Sequence, residues 1–267
     1  MNKIKAKNII MILLAVICVA VLLYSLYQGL IIYIPQKQEQ HRFDELRQIV
    51  SQYGEDSDEA SDSSQPSKAE SRSSFVEEKK ISAFSEITRT NPDFRGWLKI
   101  KDTVIDYPVV KSSNDDPEYY LHRDIDKNYS FSGTPFIGAG ADENSDAFVI
   151  YAHNMNSGTM FGTLDCYADK GWAEQHPYIN FDTVNENRIY RVFAAFRTTI
   201  GSENEFKYNE RAGKLSDEEY KALVNDIKDV SVMFTNDCPA KKTQIIMLST
   251  CSYHAENGRF VVAAYRV

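Results

Sequence analysis

The end of the chain decides the fold: residues Gln244–Val267 read QIIMLSTCSYHAENGRFVVAAYRV. This stretch holds two apolar runs, 245–248 and 260–265, and the polar loop between them contains the turn pair Asn257-Gly258. Short apolar runs that are bounded by turn residues are typical of buried strands. Because only a modest loop joins the two runs, we predict an antiparallel pair of strands.

Two reactive side chains stand at the ends of these runs. Cys251 follows the first run and Arg259 opens the second, so antiparallel pairing places a thiol and a guanidinium at the same end of the sheet. A nucleophile beside a fixed positive donor is a chemically useful arrangement. The alternative at this point is a small buried cysteine and a solvated arginine, because free cysteines are often core residues.

The composition narrows the class of protein. The chain has 267 residues, of which 43% are hydrophobic and 25% are charged, as in ordinary globular proteins. Its 16 tyrosines and 14 phenylalanines favour a β-rich fold. A formal net charge of −8, without a basic stripe, argues against binding to nucleic acid.

The cysteines do not have the spacing of a disulfide framework. Cys18 lies in an apolar N-terminal stretch, and none of the other three cysteines belongs to a C-x-x-C pair. The sequence does not decide whether Cys166 and Cys238 form a disulfide bridge. Cys251 and His254 have the spacing of half a zinc site, but no second pair accompanies them, so we predict neither a metal nor an organic cofactor.

The N-terminus carries a candidate membrane anchor. Lys3, Lys5 and Lys7 precede an apolar stretch, and residues 9–34 are long enough to cross a hydrocarbon core of about 30 Å. We predict a cytoplasmic tail over 1–8 and an uncleaved single-pass signal anchor, with a cleaved signal peptide as the alternative. Because lysines that flank a membrane span tend to stay on the cytoplasmic side, the rest of the chain is expected outside the cell membrane.

Three segments follow the anchor. Apolar residues recur at helical spacing over 35–53, which predicts an amphipathic helix. Residues 54–74 are rich in Ser, Asp and Glu, which indicates a disordered acidic spacer. The remainder, 75–267, is long enough for one domain with its own core, and its first part, 75–88, again has helical periodicity.

Short strands dominate this last domain. Before the final pair, we predict strands at 97–100, 104–110, 134–137, 147–151, 188–198 and 230–234, a short helix at 160–167, and a capped helix at 216–228. About eight strands with few helices indicate a mainly β fold. We therefore predict one closed β-barrel with helical insertions, preceded by N-terminal helices and one transmembrane helix.

His153 adds a third functional group to the predicted site. It follows the strand at 147–151 as Cys251 follows its own strand, and strand ends gather at the rims of a barrel. Cys251, His153 and Arg259 would then supply a nucleophile, a proton carrier and a positive group, which acyl transfer requires.

Other assignments stay open for the histidine. His153 could have a purely structural role, and His254, three residues after Cys251, could be the base instead. Glu256 or Asp165 could orient His153, but no pattern in the sequence places either carboxylate beside it.

These residues resemble those of the sortases, which are membrane-anchored cysteine transpeptidases of Gram-positive bacteria. The motif is Leu248-Ser249-Thr250-Cys251 on a strand, with Arg259 at the start of the next strand and Tyr151-Ala152-His153 upstream. The resemblance covers about residues 91–267. Met247 is a departure, because the family's motif usually begins with Thr.

Further features are similar to class B of that family. They are the N-terminal helices, the helix at 216–228, and the segments Asn91-Pro92-Asp93-Phe94-Arg95-Gly96-Trp97 and Met160-Phe161-Gly162. Class B membership implies an eight-stranded sortase barrel without a cofactor, which is anchored to the cell membrane and acts on secreted proteins with a C-terminal sorting signal.

The resemblance also implies roles for the site residues. Cys251 would cleave the sorting signal after Thr and keep the acyl group as a thioester, while His153 protonates the leaving amine. Arg259, helped by the backbone N–H of Ser252, would hold the oxyanion. An amine of peptidoglycan, or a pilin lysine, would then take the acyl group.

The resemblance implies that Tyr151 and Ser249 line the peptide site. Two other functions would use the same barrel. In a cysteine peptidase, water would resolve the thioester to a free carboxylate. In a surface-anchored binding module, Cys251 would be incidental and its replacement would leave binding unchanged.

Overall fold

The N-terminal helix is longer than the sequence predicts. The computed structural model describes residues 2–51, 83–203, 205–235 and 237–267. Helix α1 (Asn2–Ser51) is continuous and includes Pro35, where the sequence predicts the start of a separate helix. Within α1, Met11–Ile31 is long and apolar enough to cross a membrane. The predicted spacer, 54–74, lies outside the described residues.

The chain divides into two compact units, Met1–Arg42 and Phe43–Val267. Among its described residues, the second unit contains nine strands and the C-terminal end of α1. The strands are β1 (Phe94–Lys99), β2 (Asp106–Lys111), β3 (Phe136–Ile137), β4 (Ala147–Tyr151), β5 (Tyr178–Asp182), β6 (Ile189–Thr199), β7 (Ser231–Phe234), β8 (Ile245–Cys251) and β9 (Gly258–Arg266). Its other described helices are α2 (83–90), α3 (Lys170–Gln175) and α4 (Asp217–Val230), with 3-10 helices at Tyr119–His122, Leu164–Ala168 and Tyr208–Arg211.

Eight of these strands close into a barrel, as predicted. The hydrogen-bonded order is β5-β1-β2-β3-β4-β8-β9-β6, and a β5–β6 pairing closes the ring, while β7 pairs with β6 beside it. The pairs β2–β3 and β4–β8 are parallel, and the others are antiparallel. Strand β5 is absent from the predicted elements, and the predicted helix at 160–167 is instead the 3-10 helix Leu164–Ala168, followed by α3.

Alternation along β4 and β8 separates two apolar clusters. Phe148 and Leu248 belong to the core inside the barrel, whereas Val149 and Met247 belong to a second cluster against α4. The predicted capping box of α4 is present. Met247 is fully buried in this second cluster, so an apolar side chain suits the position where the family's motif usually has Thr.

The C-terminal end of α1 packs against the barrel through Tyr107. The ring of Phe43 meets that of Tyr107 edge to face at 5.3 Å, and the Arg47 guanidinium lies 4.8 Å from the centre of the same ring. The Tyr107 hydroxyl accepts a hydrogen bond from the backbone N–H of Met160 (3.1 Å). Tyr107 therefore connects α1 to the loop that follows His153.

We expect Tyr107→Phe to destabilise the protein by about 1–3 kcal/mol, because the buried N–H of Met160 would lose its acceptor. Denaturant unfolding of the full chain in detergent measures this difference. Tyr129→Phe is the matched control, since Tyr129 is 70% exposed and should change stability by less than about 0.5 kcal/mol. Equal unfolding midpoints for the two variants would contradict the assigned role of the Tyr107 hydroxyl.

Candidate active site

Strands β8 and β9 bring Cys251 and Arg259 together. The two residues are directly paired in the antiparallel register, which confirms the predicted strand pair and the shared rim. A β-carbon on Gly258 would lie 2.4 Å from the carbonyl oxygen of Ser252, so only glycine fits where this loop closes. Cys251 is an exposed free thiol, and Cys166 and Cys238 are also free rather than bridged.

The parallel strand β4 brings His153 to the same rim. Tyr151, the last residue of β4, is paired with Ser249 of β8, so the residues that follow the two strands lie at the same edge of the sheet. Two side-chain hydrogen bonds join the strand ends: Thr250 Oγ1 donates to the Ala152 carbonyl (2.8 Å), and Asn154 Nδ2 donates to the Cys251 carbonyl (2.9 Å). The residues on either side of His153 are therefore fixed to the strand that carries the thiol.

A backbone carbonyl orients the imidazole of His153. Its Nε2 lies 3.0 Å from the Leu121 carbonyl oxygen, which only accepts, so Nε2 carries the proton and Nδ1 remains for proton transfer. Burial lowers the pKa of His153 below its ordinary value; the Leu121 carbonyl acts in the opposite direction, and His122 lowers the pKa further. This partner is a backbone carbonyl rather than either of the two carboxylates, Glu256 and Asp165, that the sequence left open for the role.

The three predicted catalytic side chains line one cavity of about 360 Å³. The predicted peptide-site residues Tyr151 and Ser249 also line it. The remaining described residues of its wall are Pro117, Glu118, Leu121, Phe136, Gly138, Ala139, Ala141, Val149, Ala152, Ile200, Tyr208, Asn209, Ala212 and Thr250. A cavity with an apolar wall and a few reactive groups at one end is suited to an extended peptide.

Tyr208 lines the cavity as well, although no pattern in the sequence predicts it there. Its hydroxyl lies 2.7 Å from Ser249 Oγ. Burial raises the pKa of Tyr208, while the Ser249 hydroxyl and the positive charge of Arg259 act in the opposite direction. Burial also raises the pKa of Tyr151. Both phenols therefore stay neutral near Cys251.

Two predicted contributors lie elsewhere. The backbone N–H of Ser252 donates to the Gly258 carbonyl (2.9 Å), and Ser252 is not among the described residues that line the cavity, so its oxyanion role stays a prediction. His254, the rival base, has its Nδ1 2.9 Å from Ser252 Oγ and is not among the described residues that line the cavity.

The arrangement can support nucleophilic acyl transfer. Cys251 supplies an accessible thiol. His153 supplies a ring nitrogen that can take up and release a proton: the ordinary pKa of histidine is near neutrality, and burial lowers that of His153. Arg259 donates through Nη1 to the Gly258 carbonyl (3.0 Å), and its guanidinium has further donors for a negative oxygen. These groups face the same space, which the reaction requires.

Known proteins share this fold and sequence pattern. The Sortase domain model matches residues 98–267. Sortase B of Listeria monocytogenes is 32% identical over 184 residues, which cover 66% of this chain and 71% of the relative. Sortase B of Staphylococcus aureus is 27% identical over 188 residues, covering 68% and 73%.

A solved structure agrees with these relatives. Sortase B from B. anthracis superposes with a TM-score of 0.66 at 26% identity, covering 88% of this chain and 99% of that chain. The family model covers more than half of the chain, and the first relative exceeds 30% identity over most of its own length. The chain therefore belongs to the sortase family, class B, whose members are cysteine transpeptidases that sort surface proteins to the cell wall.

Proposed function

We propose that this sortase cleaves a sorting-signal peptide after Thr and passes the acyl group to an amine of peptidoglycan, with Cys251 as the nucleophile. The observation that carries the proposal is the meeting of three side chains on one cavity wall. Cys251 and Arg259 are register partners, and His153 follows the parallel neighbouring strand.

In the first half-reaction, Nδ1 of His153 takes the thiol proton of Cys251, and the sulfur attacks the threonine carbonyl carbon. Arg259 donates hydrogen bonds to the oxygen, which becomes negative as the tetrahedral intermediate forms. His153 transfers a proton from Nδ1 to the leaving nitrogen. The C–N bond breaks, and the acyl group remains on Cys251 as a thioester.

In the second half-reaction, a neutral His153 takes a proton from an incoming primary amine. The amine nitrogen attacks the thioester carbonyl, and Arg259 again stabilises the oxyanion. The C–S bond breaks, and a new amide forms while the thiolate of Cys251 leaves. We propose an amine of a peptidoglycan peptide as the acceptor, with a pilin lysine as a further substrate of the same chemistry.

The test of this function is intact-mass spectrometry of the full chain in detergent. The protein is mixed with a panel of sorting-signal peptides, first alone and then with triglycine. We expect a mass increase equal to the acyl fragment on Cys251, which disappears when triglycine is added as a ligated peptide forms. A free-acid product in the presence of triglycine would indicate a peptidase, and an unreactive Cys251 with every peptide would indicate a binding module.

We expect Asn154→Ala to lower the rate of acylation about fivefold, because the hydrogen bond that joins the His153 loop to the Cys251 carbonyl is worth about 1 kcal/mol. The rate of adduct formation on Cys251 measures this effect. Asn156→Ala, which replaces an exposed side chain in the same loop, is the control. An Asn154→Ala rate equal to that of the control would show that this bond does not position the site.

We propose that residues 9–34 form a membrane anchor with the N-terminus inside and the barrel outside. Met11–Ile31 is long and apolar enough to cross a bilayer, and the preceding lysines favour the cytoplasmic side. Protease treatment of intact cells is the test. Release of a barrel fragment is expected, whereas protection of the barrel until the cells are lysed would contradict this orientation.

A further inference from the structure

The 3-10 helix Tyr119–His122 contacts His153 in two ways. The carbonyl of Leu121 accepts from Nε2 of His153 at 3.0 Å. The ring of the next residue, His122, lies against the ring of His153, with centroids 5.3 Å apart and planes at 38°. One short segment thus contacts both the edge and the face of the imidazole.

His122 has no assigned part in the reaction. Its side chain is exposed, and it lies 6.4 Å from the ring of Tyr129 in a stacked arrangement. The Arg123 guanidinium donates to the His122 carbonyl and lies over Tyr119. Around His153, the other titratable or charged groups of the cavity wall are Glu118, Tyr151, Tyr208, Cys251 and Arg259.

We propose that His122 is a positioning residue that acts through His153: it fixes the plane of the His153 ring and sets how readily that ring takes up a proton. The proposal rests on the proposed function for its catalytic consequence. Its physical basis, the coupling of two imidazoles, does not depend on that function.

The sign of the effect follows from electrostatics. Two imidazolium rings at this separation repel each other, so a proton on either ring disfavours a proton on the other. Replacing His122 by a neutral ring removes this repulsion and should raise the pKa of His153. A His153 with a higher pKa is a weaker acid toward the leaving amine and a stronger base toward the incoming one.

The experiment is an NMR titration of the five histidines in the full chain, labelled at the imidazole and held in detergent. His122→Phe keeps an aromatic ring against His153 and removes the charge. We expect the midpoint of His153 to move to higher pH in this variant. His41→Phe, the same change at an exposed histidine of the other compact unit, should leave the midpoint in place.

The control for packing is built into the variant. Because His122→Phe keeps an aromatic ring against His153, a merely structural role for His122 predicts no shift of the His153 midpoint. An unchanged His153 midpoint in His122→Phe, or an equal shift in His41→Phe, would overturn the proposal.

The catalytic consequence is read from the pH dependence of adduct formation on Cys251. The acid limb of kcat/KM for acylation should move to higher pH in His122→Phe, while KM changes little. If the NMR midpoint of His153 shifts but the acid limb of kcat/KM does not, the proposed effect of His122 on catalysis would be overturned. If the wild-type chain forms no adduct, the proposed function fails, and the NMR titrations still decide whether the two rings are coupled.

Discussion

Replacing Cys251 by alanine should abolish the acyl adduct and lower transpeptidation by about 10⁶-fold, the loss that removal of the nucleophile causes in a serine protease. The reason is that the remaining groups of the cavity cannot form the thioester. Mass spectrometry of the adduct and chromatography of the ligated peptide measure the two effects.

Cys238→Ala is the matched control for this change. Cys238 is also an exposed free cysteine, but it is not among the described residues of the cavity wall. We expect wild-type rates from this variant. If Cys251→Ala kept more than about 1% of the wild-type rate, a loss far below that of a catalytic nucleophile, the assignment of Cys251 would be wrong.

The second largest effect is expected at Arg259. Arg259→Ala should lower kcat for acylation by about 10²–10³-fold, because it removes the donor of the developing oxyanion. Arg259→Lys keeps the charge but loses the planar guanidinium, so we expect a rate between those of Arg259→Ala and the wild type. Single-turnover kinetics of adduct formation give kcat and KM separately.

Arg197→Ala tests whether the effect belongs to the site. Arg197 lies on the neighbouring strand β6, and its guanidinium is 5.3 Å from the centre of the Phe260 ring. It is not among the described residues that line the cavity. We expect this variant to retain its rate. A loss at Arg259 that appears only in KM would assign the residue to substrate binding rather than to the transition state.

These two variants also separate the site from the fold. Cys251 is exposed, and Arg259 is half-buried at the rim, so neither replacement removes packing from the barrel interior. The unfolding midpoints of Cys251→Ala and Arg259→Ala should therefore lie near that of the wild type. Tyr107→Phe, by contrast, should lower the midpoint because its hydroxyl serves a buried donor.

Local pattern was enough to predict most of the strands, including the pair that ends at Cys251 and Arg259. The turn pair Asn257-Gly258 and the apolar runs on either side determine an antiparallel pair, whose register then places Cys251 opposite Arg259. The same reasoning applies to β4, since a buried strand that ends before His153 must present that residue at an edge of the sheet. The capping box of α4 is equally local.

Other features depend on contacts between distant parts of the chain. The carbonyl that orients His153 belongs to Leu121, and every residue carries a carbonyl, so residue type gave no signal. Tyr208 reaches Ser249 from a segment without strand or helix periodicity. Strand β5 is only five residues long, and its place in the barrel is set by pairing with β1 and β6.

The sequence by itself determined the residue types, the strand ends and therefore the chemistry available at one rim of a barrel. Tertiary structure alone decided which groups surround these residues, because the closed fold brings Leu121 and His122 against His153. The physical reason is that side-chain alternation and turn preference act over a few residues. Hydrogen bonds of the backbone instead pair whichever donors and acceptors the closed fold brings together.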